Sequence, residues 1–165
     1  MIPVLREMTA ADAALVARLT RESWAGIVAA DSSGHSEDEG RVLRDLEHGG
    51  GLVMEIDGQP AGSVRWHDDG LWWTVKRLGV VPPYRGRGYS SWLMGEVLVR
   101  AHRAGAQELR LAVRTDQPAL LRYYQLQGFV LDAGLHYEQR NPDNPPPLVL
   151  RRPVLDSGPR LGVEA

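Results

Sequence analysis

The sequence predicts an α/β (α+β) domain on a mixed, mostly antiparallel central sheet of about six to seven strands with about four helices. Three observations predict it. Two helical periodicities follow one short strand near the start of the chain. Three extended segments then succeed one another across tight turns, the signature of an antiparallel meander. From the strand over 71–80 onward, strand and helix alternate as β-α-β-α-β.

Val4, Leu5 and Arg6 form the first strand. Thr9 and Asp12 make a capping box, and Leu15, Val16 and Leu19 recur at helical spacing, so the first helix runs to about residues 24–26. Residues 27–35 are rich in Ala, Ser, Asp and Gly and read as loop. Ser36 and Glu39 form a second capping box, Val42, Leu43 and Leu46 share a face, and Gly49, Gly50 and Gly51 stop the helix. Strands follow over residues 52–56, 61–66 and 71–80, joined by Asp57-Gly58 and by Asp68-Asp69-Gly70.

Residues 90–104 then read as a helix with Leu93, Met94, Val97, Leu98 and Ala101 toward the sheet. Arg100 and Arg103 lie in its last turn, and Gly105 ends it. Leu109, Leu111 and Val113 alternate with Glu108, Arg110 and Ala112 as a strand. Pro118 opens a helix to Gln127, Gly128 terminates it, and Phe129, Val130 and Leu131 begin another strand. After a proline-rich loop over 141–147, Leu148, Val149 and Leu150 form a last edge strand. Residues 1–155 are expected to be a single domain and 156–165 a flexible tail.

Composition narrows the function classes. The chain has 165 residues, 43% hydrophobic and 24% charged, which suits a globular domain. A net charge of -2 gives no global pull toward nucleic acid or a membrane, and neither is expected as a partner. The absence of cysteine excludes disulfides, thiolate metal sites and cysteine nucleophiles. The histidines show no metal spacing, so no metal is expected. No signal-peptide pattern opens the sequence, and no apolar run approaches the roughly 20 residues that span a bilayer. The expected location is the cytoplasm.

The chemistry concentrates in Tyr84-Arg85-Gly86-Arg87-Gly88-Tyr89-Ser90, which joins a strand end to a helix start. Backbone amides at such a junction form a nest for anions, a diphosphate above all. Gly86 and Gly88 let the backbone approach phosphates without a β-carbon in the way. Arg85 and Arg87 can add charge-assisted hydrogen bonds. A Walker loop is rejected because no lysine follows Gly88, and a dinucleotide fingerprint because Ser91 stands where its third glycine would be. By itself the run is also compatible with a glycine-rich turn flanked by solvated arginines.

Arg85-Gly86-Arg87-Gly88-Tyr89-Ser90 resembles the coenzyme A motif Arg/Gln-x-x-Gly-x-Gly/Ala of the Gcn5-related N-acetyltransferase (GNAT) superfamily, with Ser90 departing at the last position. Leu78-x-Val80-x-Pro82 looks like the family pattern before the loop. Tyr124-Gln125-Leu126-Gln127-Gly128-Phe129 resembles its Tyr-x-x-x-Gly-Phe. Gln117 stands where the family often has Asn. The resemblance implies a GNAT fold whose strands splay at an acetyl-CoA cleft.

It also implies roles. Leu78 and Val80 would offer backbone hydrogen bonds to pantetheine, and the Val80 amide would polarise the thioester carbonyl. Arg85, Gly86, Arg87, Gly88, Tyr89 and Ser90 would hold the pyrophosphate, with Gln117 a further coenzyme contact. Tyr124 would protonate the leaving thiolate; packing in the core is the alternative for this side chain. Family members often place a basic carboxylate on the strand before the loop, but residues 71–77 hold no acid. His67, His136 and Glu138 are candidate bases, each also readable as a surface polar residue. Trp66, Trp72 and Trp73 read as core or interface aromatics or as lining of an acceptor pocket. Asp31, His35, Glu37 and Asp38 stand where the family shapes its acceptor site; the acids among them could attract a cationic amine or serve capping and the helix dipole.

The implied activity is acetyl-CoA-dependent N-acetyl transfer directly to the amine of a small molecule or peptide. The alternative is a non-catalytic acyl-CoA-binding module of the same fold. A homodimer is compatible with either.

Overall fold

A computed structural model describes residues 2–25, 37–137 and 143–154. Four α-helices and seven strands are found among them, and the chain divides into two compact units, Met1–Asp69 with Thr74–Val97 and Gly70–Trp73 with Leu98–Ala165.

In the first unit, strand β1 (Pro3–Glu7) leads through a short 3₁₀ turn into helix α1 (Ala13–Trp24). Asp12 pins that entry: its carboxylate accepts from the Thr9 amide at 2.8 Å and from both ends of the Arg6 fork at 2.9 Å. The Arg6 hydrogen bond holds the Asp12 carboxyl below its ordinary value, against a smaller push from burial. Val16, Leu19 and Thr20 turn inward at helical spacing.

Helix α2 (Glu39–His48) is capped by Asp38, whose side chain accepts from the Arg41 amide at 2.9 Å. The expected cap, Ser36, lies outside the described residues. Val42 and Asp45 face inward while Leu43 is exposed, so the buried face is narrower and more polar than the sequence implied.

The expected helix stop at Gly49, Gly50 and Gly51 is corrected. These glycines open strand β2 (Gly49–Ile56), which pairs antiparallel with β1 and with β3 (Gln59–Asp68). The reason is steric. A β-carbon at Gly50 would stand 2.8 Å from the Trp66 ring and one at Gly51 2.8 Å from Met8, and one at Gly49 would run into the Trp66 carbonyl. Leu52, Val53, Met54 and Ile56 are all buried, as a strand covered on both faces requires. Asp57 at φ 53° and Gly58 at φ 78° make the two-residue hairpin turn to β3. Strand β4 (Trp72–Val80) follows β3 in the sheet order.

Helix α3 (Tyr89–Arg103) begins in the first unit and ends in the second at Gly105, whose φ is 89°. The second unit holds β5 (Glu108–Val113), helix α4 (Pro118–Leu126), β6 (Val130–Leu131) and β7 (Leu148–Pro153). Here a second correction falls: β7 is not an edge strand. It lies between β5 and β6 and is antiparallel to both. Prolines 145–147 precede it and Pro153 is its last residue, so every amide from 148 to 152 is available for pairing. The edge is β6, two residues long with Val130 exposed. His136 consequently lies beyond any strand, and Glu138 is outside the described residues.

Candidate functional site

The end of β4 is built for close approach. A β-carbon at Gly62 would stand 2.8 Å from the Gly79 carbonyl, and one at Gly79 2.7 Å from the Ser23 β-carbon, so α1 packs its last turn directly on the strand. Beyond Val80 the Val81 amide donates to the Ala61 carbonyl at 2.9 Å. A 3₁₀ turn, Pro82–Tyr84, then reverses the chain, with Tyr84 packed on the Met8, Val16 and Val42 cluster.

Gly86 at φ 76° and Gly88 at φ 82° lead into α3, whose first internal bond is Trp92 N–H to the Gly88 carbonyl at 3.1 Å. Left-handed glycines alternating with other residues turn successive amides toward one side, and a helix start presents amides that its own carbonyls cannot serve. Nothing stands within 4 Å of where a β-carbon would be at Gly86 or Gly88, so the face is open. Backbone of this kind, open at a helix start, is able to cradle an anion. Arg87 is exposed beside it. The Arg85 side chain turns inward: its Nε donates to the Val80 carbonyl at 3.1 Å, and its Nη2 donates to the Ser23 carbonyl.

Next to this strand end lies a buried charged cluster. Arg65 of β3 donates from Nε to Asp45 at 2.8 Å and from Nη2 to Glu37. Arg77 reaches Glu37 at 3.1 Å and lies over the Trp24 ring at 5.3 Å. Lys76 and His67 reach the same Asp45 oxygen, at 3.3 Å and 2.7 Å. Burial pushes the Asp45 carboxyl up, but the His67 hydrogen bond with the Lys76 and Arg65 charges outweighs it and holds the group well below the carboxylate range. Burial lowers Lys76 despite the opposing attraction of Asp45. Two sequence expectations change. Glu37 has both oxygens engaged by arginines, and His67 is a buried partner of Asp45 stacked on His48, not a surface residue. Asp31 and His35 lie outside the described residues.

In the second unit, Gln117 is the N-cap position of α4, half-buried, with its amide on the Arg114 carbonyl at 3.1 Å. Tyr124 is buried, edge-on to Phe129 at 5.7 Å and to Tyr123 at 5.3 Å. Gly128 at φ 92° ends the helix and lets the Phe129 amide return to the Tyr124 carbonyl at 3.1 Å. Burial first, and Tyr123 second, push the Tyr124 hydroxyl far above its ordinary value. Trp66 and Trp73 are buried, and Trp72 lies under the Arg110 guanidinium at 4.0 Å.

Thus Leu78, Val80 and residues 85–90 come together in one unit, and Gln117 and Tyr124 share a helix in the other. Sequence reasoning missed the cluster around Arg65. Its signal was Arg65 itself, a charge between Val64 and Trp66 in a stretch, residues 60–66, otherwise apolar or small.

Similarity to known proteins specifies the family to which this strand, glycine turn and helix belong. The acetyltransferase (GNAT) family matches residues 16–129, and this chain belongs to that family. The match runs through both compact units. An acetyltransferase of Yersinia pestis is 35% identical over 74 residues, 45% of this chain and 52% of that protein. An acetyltransferase of Pectobacterium atrosepticum is 32% identical over 92 residues, 54% of this chain and 65% of that one. The matched part is therefore about half to two thirds of these curated relatives.

The fold is that of solved GNAT structures. The PaiA N-acetyltransferase of Thermoplasma acidophilum in complex with coenzyme A has a TM-score of 0.72 at 18% identity, over 93% of this chain and 99% of that one. The ribosomal-protein-S18-alanine N-acetyltransferase of Escherichia coli has 0.73 at 15%, over 97% and 99%. Among the described residues no helix is long and apolar enough to cross a membrane, and no group of three or more His, Asp or Glu is placed to hold a metal ion.

Proposed function

We propose that the chain is a single-domain, cytoplasmic N-acetyltransferase that takes acetyl-CoA and passes the acetyl group directly to the amine of a small molecule or peptide. The observation that carries this is the open nest at Gly86 and Gly88 on the start of α3, directly after Val80. Gly86, Arg87, Gly88, Tyr89 and Ser90 hold the pyrophosphate, Leu78 and Val80 hold pantetheine by backbone hydrogen bonds, and Gln117 adds a coenzyme contact. The amine attacks the thioester carbonyl, whose oxygen gains negative charge against the Val80 amide. As the carbon–sulfur bond breaks, the electron pair leaves on sulfur and Tyr124 supplies its proton; the proton that the amine nitrogen loses passes to solvent, from which Tyr124 regains one. What supports that role is the spacing of Tyr124 to Gly128 and Phe129, which resembles the family's Tyr-x-x-x-Gly-Phe.

Calorimetry with acetyl-CoA tests the first part, and release of free thiol with amino acids, polyamines and peptides tests the second. Absence of binding at high micromolar acetyl-CoA would sink the reading. A second reading, an acyl-CoA-binding module without catalysis, is favoured by β4, which carries Lys76 and Arg77 but no carboxylate to take the amine proton. Tight binding with no thiol release from any acceptor would select it.

A further inference from the structure

Arg85 lies inside the coenzyme motif, yet its guanidinium points back into the protein. Nε donates to the Val80 carbonyl at 3.1 Å and Nη2 to the Ser23 carbonyl at the end of α1. The peptide unit joining Val80 to Val81 is therefore held at both ends, its carbonyl by Arg85 and its N–H by the Ala61 carbonyl at 2.9 Å. The Val80 amide belongs to the peptide unit immediately before it. That preceding unit is hemmed in as well, since Ser23 packs against Gly79 with no room for a β-carbon and Gly62 backs the Gly79 carbonyl. With its own peptide plane hemmed in and the following plane held at both ends, the Val80 N–H has little freedom to turn.

From this we propose that Arg85 is a positioning residue for the Val80 amide and not a ligand of the pyrophosphate. The inference rests on the acetyl-transfer reading above. Its physical content is preorganisation. An amide aimed at the developing oxyanion before the reaction stabilises the transition state without reorganising, and a misplacement near 1 Å erodes that advantage by up to on the order of 100-fold. Arg87, exposed at the same loop, is left as the cation able to meet phosphate.

The two roles separate with a donor that lacks phosphates. Wild type, Arg85→Ala, Arg85→Lys and Arg87→Ala are assayed for thiol release with acetyl-CoA and with S-acetyl-pantetheine, using a fixed mixture of amino acids, polyamines and short peptides as acceptor. Positioning predicts that Arg85→Ala lowers kcat by about 10-fold to 100-fold with both donors while KM for acetyl-CoA moves less than about threefold, and that Arg85→Lys recovers part of the loss. Arg87→Ala should lose only with acetyl-CoA.

A loss for Arg85→Ala confined to acetyl-CoA and expressed in KM would make Arg85 a phosphate ligand, and no loss with either donor would remove it from the mechanism. Amide hydrogen exchange supplies a readout independent of the acceptor: Val81 should exchange at least about tenfold faster in Arg85→Ala, because its peptide plane loses one of two restraints. Unchanged exchange at Val81 overturns the proposal. A wild type that binds acetyl-CoA but releases no thiol instead overturns the acetyl-transfer reading, and with it any catalytic meaning for the Val80 amide.

Discussion

Arg65 and Glu37 form an ion pair that solvent does not reach, their side chains 1% and 0% exposed. Arg65 joins the strand β3 to both the approach to α2 and, through Asp45, to α2 itself. A buried charge is tolerated only while its partners stay in place. Arg65→Met is therefore expected to destabilise the fold by about 3–5 kcal/mol, because two carboxylates lose their shared cation. Urea unfolding followed by circular dichroism checks this; a midpoint equal to wild type would show that Arg77 satisfies Glu37, and Lys76 with His67 satisfies Asp45, without Arg65.

Asp45 gives the same cluster a pH dependence. Its folded carboxyl sits well below the unfolded value of 3.8. A depressed carboxyl contributes stability that is present above the unfolded value and lost as pH falls through it toward the folded value. The urea midpoint should thus fall between about pH 4 and pH 2, and that acid-side slope should flatten in Asp45→Asn. Equal slopes in the two proteins would assign acid sensitivity to other carboxylates, Asp12 first among them.

Tyr124→Phe keeps the buried ring and its edge-on contact with Phe129 while removing one oxygen. The expectation is a kcat lower by on the order of 100-fold with little change in coenzyme affinity, as for a general acid lost from a site otherwise intact. Because burial holds the hydroxyl above its ordinary value, wild type should show no loss of rate from tyrosine ionisation up to about pH 10. Steady-state kinetics across pH tests both statements, and unchanged turnover in the variant would leave Tyr124 as a core aromatic.

Gly88→Ala separates stability from binding. The position has φ 82° with open space around it, so a methyl group costs only the left-handed backbone, about 1–2 kcal/mol. That same methyl group stands on the face offered to phosphate. Acetyl-CoA affinity should fall by more than tenfold, beyond what the stability loss accounts for. Calorimetry beside thermal melts checks it; intact affinity would move the diphosphate elsewhere on the chain.

Local signals proved legible and non-local ones did not. Asp57-Gly58 announces its hairpin because two consecutive left-handed residues admit few other dipeptides. Gly86 and Gly88 announce a left-handed turn before a helix for a similar reason. The Arg65–Glu37 pair, 28 residues apart, was invisible, since a charged residue on a strand reads as solvent-facing until its partner is known. The glycines at 49–51 misled because a helix stop and a strand crowded by Trp66 ask for the same residue. Strand β7 misled because sequence patterning says that a strand exists but not which strands flank it.

The place of β7 also bears on how the protein is made. Leu148 pairs with Val113 and Pro153 with Glu108, so β5 waits for a partner synthesised some seconds later at ordinary translation rates. Until then the nascent chain displays β5 with a free hydrogen-bonding edge and β6 with nothing to join. A chain stopped upstream of residue 148 would leave β5 and β6 without the strand that joins them.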